Sequence, residues 1–419
     1  MATETVAYEP FGVGALDFDV YQQLLAHEGL YKTESDFFVA ARRDDVHDLI
    51  RQPKLFSSRP NQSEALGMAT DGEPKAGEEA RARFTAMTEG LPVTADELMS
   101  ARMIIAADPP LHTHLRRVVN RAFVPRQMDK WRGWIQNRVD ELLADVSADQ
   151  EFDVVQKLCV PLPVSVIGEV LSLEQSEYGR VKHWSDEIMK GSQNADRGSD
   201  EASKRLFAAF GDFVARFSPE IEDRRANPRD DIISVLVQKT DDGDISTADA
   251  LYFLLIMMGA GQETTTNLIS NMIVSLYENP DQLELLLEQP DLVKSGIEET
   301  LRYRGPAQVT FREALEDTVL GGTEVPAGSL IVGLVGAANH DPAVYEDPLR
   351  FDITRDPSHV SFGHGIHFCV GAALARLEAE TAMRSLLPLL GQMHMSEPPT
   401  PIESLILLGF EHVKLAPNT

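Results

Sequence analysis

The chain has 419 residues, 43% of them hydrophobic and 25% charged, which is ample material for a globular core. A formal net charge of -28 argues against general affinity for phosphate backbones or anionic bilayers, so neither nucleic acid nor a membrane is expected as a partner. Two cysteines make no disulfide framework, Met1–Thr5 lacks the basic and apolar stretches of a secretion signal, and the longest apolar run, Ala250 to Gly261, is too short to span a bilayer.

A reducing cytoplasm is therefore the expected setting. No Gly/Ser linker or internal repeat divides the chain, and residues 1–419 are expected to form a single, mainly helical domain with small β-sheets (α+β). A helical pattern over Val20–His27 leads to a strand at Phe37–Ala40 and a helix at Arg43–Gln52. Residues 57–98 are broken by glycines and prolines, with a short helix expected near Glu78–Met87, and their length suits a lid or binding loop. Asp108-Pro109-Pro110 opens the next helix with proline expected in its first turn. His112 and Arg116 share one face there, and Arg117, Arg121 and Arg126 continue the positive charge. Helical patterns then fill Trp131–Val146, Leu162–Leu173, Glu177–Gly191 and Ser203–Asn227, while Cys159, among apolar neighbours, reads as a small core residue.

Ile245–Glu278 has no proline and reads as one long helix, yet its middle, Met258-Gly259-Ala260-Gly261-Gln262-Glu263-Thr264-Thr265-Thr266, is rich in glycine and threonine. Two readings stand: a tight helix crossing with threonines bonded within the helix, or a helix opened beside a ligand with Glu263 and Thr264 handling protons. Glu299 and Arg302 are spaced to pair on a later helix. Beyond Gly305-Pro306 come strand-like pieces at Val309–Phe311 with Arg312, Thr318–Leu320 and Leu330–Val335, then Arg355; the tail offers further strands at Leu405–Leu408 and Val413–Leu415. Between them lies Phe362-Gly363-His364-Gly365-Ile366-His367-Phe368-Cys369-Val370-Gly371, followed by a helical pattern over Ala372–Leu387. A cysteine at a helix N-terminus favours the thiolate that binds soft metals.

That ten-residue stretch resembles the haem-binding signature of the cytochrome P450 family, Phe-Gly-x-Gly-x-His-x-Cys-x-Gly, at every fixed position. Ala260-Gly261-Gln262-Glu263-Thr264-Thr265, Glu299-x-x-Arg302 and Asp108-Pro109-Pro110 with His112 and Arg116 resemble the family's other motifs, in its order. The resemblance, to the soluble bacterial members, implies a haem held between a long distal helix and a proximal cysteine loop and helix. It implies haem b with Cys369 as axial iron ligand, and Phe362, Gly363 and Gly371 beside it. His112, Arg116, Arg312 and His367 would hold the propionates, Ala260 and Gly261 would admit dioxygen, and Glu263 and Thr264 would relay protons as it is activated. Glu299, Arg302 and Arg355 would form a structural ion network. His340, Leu111 and Val370 depart from commoner residues at their positions without touching the haem signature.

The implied activity is monooxygenation of a C–H bond by a monomeric enzyme, with electrons from a ferredoxin and an NAD(P)H-dependent ferredoxin reductase. Arg117, Arg121, Arg126 and Arg376 are expected to present a positive surface to an acidic ferredoxin. Leu255, Met258, Ala307, Gln308, Val309 and Leu405 are expected to line a pocket for a hydrophobic molecule such as a terpenoid, steroid or fatty acid. Two alternatives are a haem-thiolate protein that binds ligand without turnover, and a zinc site built on His364, His367 and Cys369 that lacks an evident fourth ligand.

Overall fold

The computed structural model describes residues 8–10, 17–60, 81–82, 84–86, 88–91, 93–120, 125–193 and 200–418. They divide into two compact units, each discontinuous in sequence: 1–57, 125–163 and 263–419 form the first, 58–124 and 164–262 the second. Most of the 57–98 segment expected to act as a lid lies outside the described residues.

The first unit carries the sheets. Its five-stranded sheet has the order Tyr31–Lys32, Phe38–Ala40, Leu330–Leu334, Val309–Ala314 and Phe56–Ser57; the second and third strands are parallel and the other pairs antiparallel. Buried apolar residues cover both faces. Leu30, Phe38, Val46, Leu49 and Ile331 form a core on one face, and Tyr21, Leu24, Val39, Phe311 and Val332 form one on the other. Phe152–Asp153, Lys414–Pro417 and Met393–Met395 make a three-stranded sheet, and Thr318–Leu320 with Thr323–Val325 a hairpin turned at Gly321-Gly322. Leu405–Leu408 is not a strand; its β-type pairing is a single isolated bridge, Ala307 to Leu407.

Helices Pro125–Leu143, Val293–Arg304 and Ala372–Leu390 also belong to this unit. The first begins six residues before its apolar pattern, at a proline whose missing N–H costs nothing in a first turn. Pro109 and Pro110, by contrast, precede their helix, which runs from Leu111 to Asn120.

The second unit is helical. Tyr178–Gln193 and Asp200–Ala226 pair through Trp184, Phe213 and Phe217, with Trp184 Nε1 donating to Asp212 Oδ2 at 2.7 Å. Ile232–Asp241 is capped by Asp231, whose carboxylate also holds the wholly buried Arg224 at 2.7 Å. Thr247–Glu278, whose residues 247–262 belong to this unit and 263–278 to the first, is an unbroken α-helix through the glycine and threonine stretch, so no local opening is present. The tight crossing is present instead: a Cβ on Gly261 would stand 2.5 Å from Ile167 Cδ1.

Candidate active site

Phe362–Gly371 folds into a compact turn because two glycines take left-handed conformations, φ +70° at Gly363 and +67° at Gly365. The amide of Gly363 donates to Val360 O at 2.8 Å, that of Phe368 to Gly365 O at 3.2 Å, and that of Cys369 to Phe362 O at 2.8 Å. A Cβ on Gly365 would lie 3.5 Å from Arg51 Cα and Ile50 O, so the turn seats on helix Arg43–Arg51. Gly371 is the N-cap of Ala372–Leu390, which places Cys369 at the positive end of that helix. Neither cysteine is in a disulfide; Cys159 is fully buried and burial pushes its thiol far up, whereas Cys369 is half-buried and approachable.

Arg376, on the first turns of the same helix, stands 4.5 Å over the Phe362 ring and close enough to Cys369 that a thiolate there favours its charge. It is not a bare surface cation. Its Nε and Nη2 donate to both oxygens of Glu298 at 2.6 and 2.8 Å, and His359 Nε2 lies 3.1 Å from the same carboxylate. Burial would raise the Glu298 carboxyl, but these hydrogen bonds outweigh it and hold it at about 2. No local pattern marks this pair, since its members are far apart in the chain and neither belongs to a motif.

Glu299, Arg302 and Arg355 meet in one network. Arg302 Nε and Nη2 donate to Glu299 at 2.8 and 2.7 Å, both side chains being fully buried, and Arg355 Nε lies 3.4 Å from Glu299 Oε1. Arg302 spends its remaining donors on the carbonyls of Asn339, Pro348 and Arg350, and the amide of Asp352 donates to Glu299. The network thereby ties helix Val293–Arg304 to the chain leading into the cysteine turn. His340 is neutral in this setting: burial lowers its pKa to about 4, and its Nδ1 lies 2.8 Å from Gly336 O.

On the long helix, Ile256, Met257, Gly261, Glu263 and Thr264 are half-buried and Ala260 is exposed, among neighbours that are buried. Their spacing places them on one face, so a helix apolar almost all round opens one stripe of surface. Leu255 and Met258, expected in the pocket, are 3% and 0% exposed and lie on the opposite side; Ile256 and Met257 take the open face in their place. Thr266 bonds not within its helix but to Cys159 O, at 2.9 Å.

Gln308 is likewise a core residue, accepting from Tyr21 Oη at 2.8 Å and donating to Gly305 O. Ala307 and Leu405 are half-buried and stand on neighbouring segments, because Gln308 N donates to Ile406 O and Leu408 N to Pro306 O. Val309 leans on the Tyr21 core.

Arg312 is 4% exposed and donates to two neutral oxygens, Thr310 Oγ1 at 2.9 Å and Phe311 O at 2.7 Å. His367 is half-buried in the turn Gly365–His367. In the second unit His112 is buried, and burial and the Arg116 charge lower its pKa, with Asp108 opposing them. Arg117 is exposed; Arg121 and the side chain of Arg126 lie outside the described residues.

These residues suit a flat, anionic group with a soft-ligand metal. Cys369 is approachable at a helix N-terminus, a Cβ on Gly371 would meet no atom within 4 Å, and Arg312 is a buried cation that donates to Thr310 Oγ1 and Phe311 O. Among the described residues no group of three His, Cys, Asp or Glu side chains is placed to hold a metal ion, which removes the zinc site. Among them, too, no helix is long and apolar enough to cross a membrane.

Comparison with known proteins agrees with this geometry. The family model for cytochrome P450 matches residues 88–291 and 285–407. The chain is 38% identical to cytochrome P450 107B1 of Saccharopolyspora erythraea over 321 residues, covering 75% of this chain and 77% of the relative. It is 35% identical to 6-deoxyerythronolide B hydroxylase of the same organism over 313 residues, covering 73% and 76%. The crystal structure of CYP109E1 from Bacillus megaterium in complex with testosterone matches with a TM-score of 0.81 at 32% identity, over 99% of this chain and 100% of that one. The α+β fold, the glycine-framed Cys369 turn and these matches lead to one conclusion: the chain belongs to the cytochrome P450 family of haem-iron monooxygenases.

Proposed function

We propose that this enzyme inserts one oxygen atom of dioxygen into a C–H bond of a hydrophobic molecule of polyketide or steroid size, in the cytoplasm. The observation that carries the proposal is the accessible stripe Ile256, Met257, Ala260, Glu263 and Thr264 on an otherwise buried helix. Two relatives support the size: one is by name a hydroxylase of 6-deoxyerythronolide B, and another was crystallised with testosterone. No charge is placed at Ile256, Met257, Ala307 or Leu405, so apolar contact selects the substrate.

The cofactor we assign is haem b, which when bound supplies a thiolate-ligated iron that activates dioxygen. Cys369 provides the sulfur, and Phe362, Gly363 and Gly371 shape the backbone beside it. His112, Arg116, Arg312 and His367 provide donors and positive charge for the two propionates. Ala260 and Gly261 keep side chains from the oxygen side, and Glu263 and Thr264 hold and pass protons there. All four residues lie on one unbroken helix.

Electrons come from a ferredoxin and its NAD(P)H-dependent reductase. Because Arg376 is neutralised by Glu298, the exposed Arg117 is the stronger candidate for the docking cation. Titrating a panel of steroids, macrolides and fatty acids against the haem spin-state shift tests the substrate class. A saturable shift with a steroid or macrolide, weakened in Met257→Ala, is expected; shifts from fatty acids alone would replace the size argument.

A further inference from the structure

Phe362, whose carbonyl accepts from the Cys369 amide at 2.8 Å, has its ring bounded by two side chains that share one carboxylate. The Arg376 guanidinium stands 4.5 Å over that ring, and the His359 ring lies 5.8 Å from it. Glu298 accepts from Arg376 Nε and Nη2 at 2.6 and 2.8 Å, and His359 Nε2 lies 3.1 Å from the same carboxylate. Three segments therefore meet at Glu298: its own helix Val293–Arg304, the chain at His359, and helix Ala372–Leu390, which follows Cys369.

The charges of this trio cancel. The Ser361 amide donates to His359 Nδ1 at 3.2 Å, which leaves the ring proton on Nε2, facing Glu298, in the neutral tautomer. Burial would raise the Glu298 carboxyl, yet its hydrogen bonds to Arg376 and His359 hold it at about 2, so it is ionised at neutral pH. Glu298 in turn raises the pKa of Arg376, and a Cys369 thiolate adds to the rise. The trio thus carries no net charge beside the sulfur, where Arg376 alone would carry one positive charge. The side chains of Glu298, Arg376 and His359 are 27%, 37% and 5% exposed, so water screens these charges only in part.

Reduction adds one electron, delivered by the ferredoxin, to a centre that already faces the negative sulfur of Cys369. An unbalanced cation beside that sulfur favours the reduced form and raises the potential, and a carboxylate locked onto the cation cancels the effect. We infer that Glu298 holds the reduction potential of the bound haem down by neutralising Arg376, with His359 fixing the carboxylate in place, and so sets the driving force of the first electron transfer. Glu298 acts through Arg376 and is a positioning residue. This rests on the thiolate ligation proposed for Cys369.

Potentiometry of the haem-loaded, substrate-free protein at low ionic strength tests the inference, with the thiolate-ligated fraction of every variant read from its carbon monoxide difference spectrum. Glu298→Gln is expected to raise the potential, by about threefold in the reduction equilibrium constant or roughly 30 mV for one electron. Arg376→Gln is expected to lower it, and the double variant to return near the wild-type value. The opposite signs separate charge from structure: a pair that only braces the turn would shift both variants in the same direction, with loss of thiolate ligation, and that result would overturn the inference. So would an unchanged potential in Glu298→Gln with the thiolate band intact. Where Glu298→Gln yields no haem-loaded protein, a potential in Arg376→Gln at or above the wild-type value overturns it as well. A wild-type carbon monoxide complex without the thiolate band would instead remove the ligand assignment itself, and it is read before any potential is measured.

Discussion

The guanidinium of Arg376 lies 4.5 Å above the ring of Phe362, whose carbonyl holds the amide of Cys369 at 2.8 Å. Glu298 fixes that guanidinium with two charge-assisted hydrogen bonds, so a residue on helix Val293–Arg304 orders the turn that presents the sulfur. Arg376→Ala should therefore loosen the ligand turn more than it alters ferredoxin affinity. The expected outcome is a larger fraction of carbon monoxide complex without thiolate ligation and a shifted reduction potential, partly rescued by Arg376→Lys. Potentiometry and difference spectroscopy check it.

The same pair makes acid stability legible. Folding lowers the Glu298 carboxyl from 4.5 to about 2, so the stability it adds is complete above the unfolded value and is lost as pH falls through that window. Both partners are partly exposed, which limits the contribution to about 1–2 kcal/mol. Glu298→Gln should flatten the pH dependence of the melting temperature between those two values and leave it unchanged at neutral pH apart from a constant offset.

Glu299 and Arg302 are fully buried, and removing one partner leaves the other charged and unpaired. Arg302→Leu is expected to cost about 3–5 kcal/mol, enough to abolish soluble haem-loaded protein. Soluble yield and the ratio of haem to protein absorbance measure this.

Gly261 and Ile167 form a tight contact that a methyl group cannot enter. Gly261→Ala should destabilise by about 1–3 kcal/mol, and Ile167→Val in the same chain should recover part of the loss. Equal costs with and without the isoleucine change, measured by denaturant unfolding, would show that another contact governs the site.

What the sequence could reveal follows from the range of each interaction. The cysteine turn, Glu299 with Arg302, and the Arg43–Arg51 helix depend on neighbours in the chain, and all were visible there. The phase of the long helix was not: with apolar residues on nearly every side, nothing marks Ile256 and Met257 rather than Leu255 and Met258 as the open face. Gln308 reads locally as a pocket residue, but Tyr21 bonds to it in the core, and Arg376 reads as a docking cation, but Glu298 pairs with it. In both cases the partner comes from a distant part of the chain.

Thiolate ligation by Cys369 is the claim on which the rest depends, and the carbon monoxide difference spectrum of the reduced protein tests it most directly. The red-shifted Soret band diagnostic of a thiolate ligand is expected, lost in Cys369→Ala and retained in Cys159→Ala. A Soret band at the position of a histidine- or thiol-ligated haem in the wild-type protein, or an unchanged band in Cys369→Ala, would contradict it.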